Sequence, residues 1–396
     1  MYKNLALEGG GTKGHIYMGA AVELERLGVL ANIDCIAGAS VGAIAALLLA
    51  TGWPVKKIQD IYSKMDFETM AMGNIIDKAK VPFNIDNKFG AFKGKAFYTW
   101  FKELIKEATT IDGVEGDPNT TFRQWHALKE KNPKLKFKDI FVEACNLETG
   151  YNETFSHLGE HAEVPIADAI FASMKFPIFF TPFEIKDTLF FDGGTQRNCP
   201  SEVFEKNPGE YNPQTLSIRL DHQNEINYYE KGIKPPRKRP KNIFQSLAAQ
   251  FGAATNAQDY NFFSSPYKSH TIFATTLEVG TLDFDLTQAQ KDALFESGQY
   301  SVMCYFHQNH PELTVGKYDP KILQQLEEYG FPTTITEFKE VTSPPIGKKA
   351  PPRPITPMRE RMQEPLGKVV PHKNPVAVKV LDQIANSLNA SRVLKM

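Results

Sequence analysis

Short apolar runs alternate with stretches whose apolar residues recur every three or four positions, and the alternation begins at the first residues. Leu5 to Leu7 predicts a strand, Ile16 to Leu27 a helix, Asp34 to Gly38 a second strand and Val41 to Leu49 a second helix. Phe137 to Ala144 predicts a further strand. It is followed by a turn at Asn146 to Gly150 and a paired strand at Tyr151 to Phe155. Strands are also expected at Leu189 to Asp192, Thr215 to Arg219 and His270 to Ala274, and helices at Lys95 to Glu107 and Asn242 to Phe263. Strands separated by helices specify crossover connections. The expected fold class is therefore α/β, a three-layer α/β/α arrangement around a central, mostly parallel sheet.

This pattern stops at Val341. Residues 341–375 interleave nine prolines, among them Pro344, Pro351 and Pro371, with basic residues such as Lys348, Arg353 and Arg361. Proline removes backbone donors and favours extended geometry, so the segment reads as a basic linker after a body of residues 1–340. In residues 376–396, Val376, Val380, Leu381, Ile384 and Leu388 share one helical face and predict an amphipathic helix, expected to dock back onto the body. The 396-residue chain carries a net charge of only −1, which gives no reason to expect nucleic acid. Cys35, Cys145, Cys199 and Cys304 are scattered, which favours reduced thiols over a disulfide scaffold or a zinc site. The longest apolar run, Val41 to Ala50, is far shorter than the ~20 residues of a spanning helix. With no secretory pattern at the N-terminus, the expected location is cytoplasmic or peripheral to a membrane, with export by a non-classical route left open.

Chemistry concentrates at three glycine-rich places. Gly9-Gly10-Gly11-Thr12-Lys13-Gly14 closes the first strand, and backbone N–H groups there could converge on a phosphate or an oxyanion. Gly9, Gly11 and Gly14 also fit a dinucleotide fingerprint with Asp34 downstream, but Asp34 falls at the start of its strand rather than at the end that meets a ribose. Gly38-Ala39-Ser40-Val41-Gly42 joins an apolar strand to an apolar helix, the context in which a G-x-S-x-G sequence makes a sharp turn and exposes its serine. Phe190-Phe191-Asp192-Gly193-Gly194 delivers an aspartate from a strand into a glycine turn.

The order GGGTKG, GASVG, DGG resembles the patatin-like phospholipase family. Agreement extends to Ala172-Ser173, Phe176-Pro177 and Phe180-Thr181-Pro182 before the third motif and Asn198-Cys199-Pro200 after it. The motif core spans about residues 5–204, with a looser match through Phe284-Asp285-Leu286 to Phe306. The resemblance implies a serine-aspartate dyad. Ser40 is then the nucleophile, Asp192 its base, and Gly9, Gly10 and Gly11 the oxyanion loop, with Val41 N–H as an additional donor and no metal or cofactor. It implies hydrolysis of fatty acyl esters in a phospholipid or lysophospholipid, and peripheral membrane contact. Some proteins of this kind need a protein partner, a role that the C-terminal segment would suit. Two alternatives stay open. One is an esterase with a Ser-Asp-His triad drawing on His222, His270, His307 or His310, and the other is a non-catalytic lipid- or nucleotide-binding module. Phe83, Phe89, Phe92, Phe97, Tyr98, Trp100 and Phe101 are candidates to line an acyl channel, against the simpler reading that they pack the core.

Overall fold

The structure, a computed structural model, describes residues 1–73 and 88–314 except 232, 235, 237, 238, 242, 264 and 278, together with Tyr318. The expected linker 341–375, the helix 376–396 and Phe83 lie outside the described residues.

Ten strands are described: β1 Asn4–Leu7, β2 Cys35–Ala39, β3 Gly90–Phe92, β4 Asp139–Asn146, β5 Asn152–Phe155, β6 Ile178–Phe180, β7 Phe183–Ile185, β8 Thr188–Asp192, β9 Thr215–Asp221 and β10 Thr271–Thr275. Eight form one sheet in the order β10-β9-β1-β2-β4-β8-β7, with β5 also on β4. β10, β9, β1, β2 and β4 run parallel, while β5, β8 and β7 join antiparallel. β3 and β6 pair separately. All eight residues of β4 are buried, and its three polar ones, Asp139, Glu143 and Asn146, are each hydrogen-bonded by side chains.

The helices that matter for the site are α1 His15–Arg26, α2 Val41–Ala50, α3 Val55–Ser63, α4 Phe67–Met72, α5 Lys95–Thr109, α6 Phe122–Lys131, α7 Ile166–Ser173, α8 Gln223–Lys231, α9 Ile243–Phe263 and α10 Gln288–Asn309. Every residue of α2 is buried, as expected of a helix that is apolar all round. α1 packs on α10 at close range. A Cβ on Gly19 would lie 1.8 Å from the Phe295 carbonyl oxygen, and one on Gly298 2.0 Å from that of Ile16, so the crossing requires glycine at both places. The four cysteines are free thiols, and Cys145, Cys199 and Cys304 are buried.

Candidate active site

β1 and β2 are parallel neighbours, so their C-terminal ends place the first glycine loop beside Ser40. Ser40 has φ 52° and ψ −125°, a left-handed conformation that costs a non-glycine residue roughly 1–3 kcal/mol. The flanking glycines make this turn feasible. A Cβ at Gly38 would sit 2.3 Å from the Gly42 carbonyl carbon, and one at Gly42 would sit 2.2 Å from the Leu7 oxygen. The Ser40 N–H donates to Ser173 Oγ at 2.9 Å, and that hydroxyl donates to the Glu143 carbonyl at 2.6 Å.

Register brings the aspartate to the same level. Ala39 pairs with Glu143 on β4, and Asp192 pairs with the next residue, Ala144. Asp192 is 1% exposed, lies beside the Ser40 side chain on the same cleft, and its carboxyl accepts a hydrogen bond from Gly194 N–H at 2.9 Å. Burial pushes its pKa up to about 7, partly opposed by the neighbouring Ser40 hydroxyl and the Gly194 N–H. Its own N–H donates to the Lys175 carbonyl at 3.0 Å. Two side chains more than 150 positions apart thus meet, one of them an acid of nearly neutral pKa.

The glycine loop departs from the expectation at one residue. Gly9 N–H is committed to the Asn198 carbonyl at 3.0 Å, so it is not available to an oxyanion. Gly9 is small for another reason, since a Cβ there would lie 2.5 Å from Asn198 Oδ1 and 3.1 Å from Ser40 Cβ. Among the described residues, no acceptor is bonded to the N–H of Gly10, Gly11 or Val41. Gly11, at φ 61°, tucks under Thr281, whose carbonyl accepts Thr12 N–H at 3.2 Å. Asn198 Nδ2 reaches Glu8 Oε1 at 3.0 Å, and Gln258 of α9 bonds the carbonyls of Gly194 and Thr195 at 3.1 and 2.9 Å. These two amides clamp the first and third motifs together. Beneath them Arg219 is paired with Asp221 at 2.8 Å and Glu8 at 3.5 Å. Apart from Asn198, which lies in a family-like stretch, none of these supporting residues carries a local sequence signal, because their partners are fixed only by strand register.

Ser40 stands between two clefts. One, of about 110 Å³, is polar and bounded by Lys13, Arg219, Asp221, Glu225 and the glycine loop. The other, of about 40 Å³, is apolar and bounded by Ile44, Phe97, Met174, Phe180, Leu282 and Phe284, with Phe176 common to both. Of the aromatic run proposed for an acyl channel, Phe97 lines the apolar cleft. Phe101 is in the core, Trp100 packs on it, Tyr98 bonds Asp168, Phe92 packs on Phe179, and Phe89 is 63% exposed.

Among the described residues, no histidine is bonded to Ser40 or Asp192. His270 meets Tyr211, His307 meets Thr314, His310 meets Tyr2, and His222 lies beside Glu225. Asp34 is at the opposite end of the sheet from the glycine loop and pairs with Lys3 at 3.1 Å, which leaves a dinucleotide ribose without its acid. His126, Asp139 and His157 bring potential metal-binding atoms within 4.8 Å of one another at that far end. Asp139 already accepts from His126 at 2.8 Å and Lys129 at 2.6 Å, however, and the two imidazoles stack 5° from parallel, so their in-plane lone pairs do not converge.

The family model of patatin-like phospholipase matches residues 5–204. An uncharacterized protein of Acanthamoeba polyphaga mimivirus is 28% identical over 76% of this chain and 92% of its own. A cGAMP-activated phospholipase of Vibrio cholerae is 26% identical over 50% of this chain and 55% of its own. The crystal structure of VipD from Legionella pneumophila shares the fold, with a TM-score of 0.50 and 17% identity over 78% of this chain and 67% of that one.

Proposed function

The chain belongs to the patatin-like phospholipase family, and from that premise we propose that it hydrolyses fatty acyl esters of phospholipid or lysophospholipid through a Ser40 acyl-enzyme, with Asp192 as the base. The reading rests above all on one observation, a buried carboxyl of pKa about 7 beside the Ser40 side chain, the two lining one cleft. A general base works best when its pKa lies near the working pH, and burial gives an aspartate that property without a histidine.

As Ser40 Oγ attacks the ester carbonyl carbon, its proton passes to Asp192. The negative charge that develops on the carbonyl oxygen falls within reach of the unengaged N–H groups at Gly10, Gly11 and Val41. Donors held in place before reaction commonly contribute ~3–4 kcal/mol to the barrier. Asp192 then protonates the departing glycerol oxygen. In the second half, Asp192 takes a proton from water as the water oxygen attacks the acyl carbon, and Ser40 leaves with that proton as the fatty acid is released. The apolar cleft suits the acyl chain, and the polar cleft with Lys13 suits the glycerol phosphate. The names of relatives such as the Vibrio protein support a phospholipid substrate.

Fatty acid release from defined phospholipids by wild type, Ser40→Ala and Asp192→Asn tests the reading. Both variants should lose at least about 1,000-fold, and activity surviving Ser40→Ala would remove it. Replacing the histidines one at a time should leave activity in place; a collapse at any one of them would restore the triad. No helix among the described residues is long and apolar enough to cross a membrane, so lipid would be met from the surface. Deletion of residues 341–396 tests the partner role of that segment, which is lost if vesicle binding and hydrolysis are unchanged.

A further inference from the structure

Four residues at the end of α7 touch both halves of the candidate site. Ser173, fully buried, accepts the Ser40 N–H and donates to Glu143 of β4. Two residues later the Lys175 carbonyl accepts the Asp192 N–H. Between and after them, Met174 and Phe176 face the apolar cleft. The Lys175 side chain runs the other way into the protein, 1% exposed. Its nitrogen donates to the Lys93 carbonyl at 2.6 Å and lies 3.3 Å from the centre of the Phe171 ring. Burying an amine with a single hydrogen-bond acceptor is expensive, so local stability does not account for it.

We propose that the Ser173–Lys175 segment is a positioning strap, in which the Ser173 hydroxyl and the buried Lys175 amine hold the backbones of Ser40 and Asp192 in register for proton transfer. This rests on the reading of Ser40 as nucleophile and Asp192 as base. The elbow needs such a hold because Ser40 has a left-handed backbone and its helix has no side-chain cap. Left to itself, the turn would relax toward ordinary dihedrals and carry the hydroxyl away from the carboxyl. Ser173 ties the turn to β4, the strand whose next residue pairs with Asp192. Lys175 fixes the other end of the strap to Lys93, ahead of α5 on the far wall of the apolar cleft. Neither side chain is placed against the reacting atoms, so both are positioning residues.

The test uses the full chain and two readouts. One is kcat and KM for a soluble butyrate ester. The other is the rate at which a fluorophosphonate labels Ser40, where Oγ displaces fluoride from phosphorus and its proton passes to Asp192, followed by intact mass. Both are expressed per folded molecule, with folding monitored by circular dichroism and thermal melting. The wild type comes first, since failure to label at Ser40 would end the functional reading and leave nothing for a strap to position. Given labelling, Ser173→Ala should lower kcat and the labelling rate together by about 10- to 100-fold, a transition-state loss, with KM changed less than about threefold. Ser173→Thr, which keeps the hydroxyl, should recover most of the loss, and Lys175→Met should lower kcat about 3- to 10-fold. If the alanine variant does not fold, Ser173→Cys, of similar volume and weaker hydrogen bonding, replaces it under the same criteria. Wild-type kcat and labelling per folded molecule in the serine variant would overturn the strap. So would a loss confined to KM, or one that vanishes on cooling below the melting transition.

Discussion

At the level of single residues, the site depends on holding a carboxyl where it does not ionise easily. Asp192 is fully enclosed, and its raised pKa makes it a usable base while costing stability. The sign follows from linkage. Unfolded, the group ionises near pH 4, whereas folded it holds its proton up to about 7. Its ionisation therefore opposes folding increasingly as pH rises from about 4 to 7, and by a constant amount above that. Asp192→Asn should melt higher than wild type by about 2–4 °C at pH 8 and by less at pH 5, while losing activity. Equal melting at both pH values would show that the carboxyl is not held in this way. In wild type, kcat/KM should be half-maximal near pH 7 and fall about tenfold per unit below it, as Asp192 takes up its proton. A profile flat down to pH 5 would exclude this carboxyl as the base. Ser40, Asp192, Gly10 and Gly11 can be nominated from sequence because each sits in a glycine pattern that sterics impose locally. Gly9 is misread for the same reason, since glycine is required there by Asn198, a contact that no local pattern reveals.

Whole elements were legible where one physical constraint ran along them. Leu5 to Leu7 of β1 and β2 are continuous apolar runs because they are covered on both faces, β4 keeps apolar runs at Ile140 to Val142 and Ala144 to Cys145 around its buried Glu143, and α2 is apolar all round because it is enclosed. β3, β6 and β7 have three residues each, too few for any period to register. The 22-residue α10 escaped for a different reason: part of its buried face is Ser297, Gly298 and Ser301, which read as polar or neutral although they are enclosed against neighbouring backbone. Close approach to α1, rather than apolar bulk, is what that face provides. Gly298→Ala should then destabilise the fold by about 1–3 kcal/mol, because its Cβ meets the Ile16 carbonyl at 2.0 Å and backbone has to move. A denaturation midpoint for Gly298→Ala no lower than that of wild type would mean that the two helices are not pressed together.

The apolar cleft belongs to the whole molecule, since its walls come from α2, α4, α5, the strap, β6 and the segment around Leu282. Of the aromatic run at residues 83–101, only Phe97 among the described residues reaches this wall, because the other lining residues are gathered by convergence of distant elements and not by the composition of any one stretch. Each methylene moved from water into such a cleft gains ~0.8 kcal/mol, about fourfold in kcat/KM when that gain is kept in the transition state. A series of soluble esters should therefore rise by about threefold to fourfold per methylene from acetyl upward until the cleft is full. Ile44 lies on α2 one turn beyond Ser40 and faces the cleft, so a larger side chain there shortens the available space without touching the dyad. Ile44→Phe should leave acetyl ester hydrolysis within about threefold of wild type and lower octanoyl ester hydrolysis by at least about tenfold. If both esters fall together, the substitution has disturbed the elbow and not the cleft. If neither falls, the acyl chain leaves Ser40 by another route, and the polar cleft lined by Lys13 and Arg219 becomes the remaining direction for it.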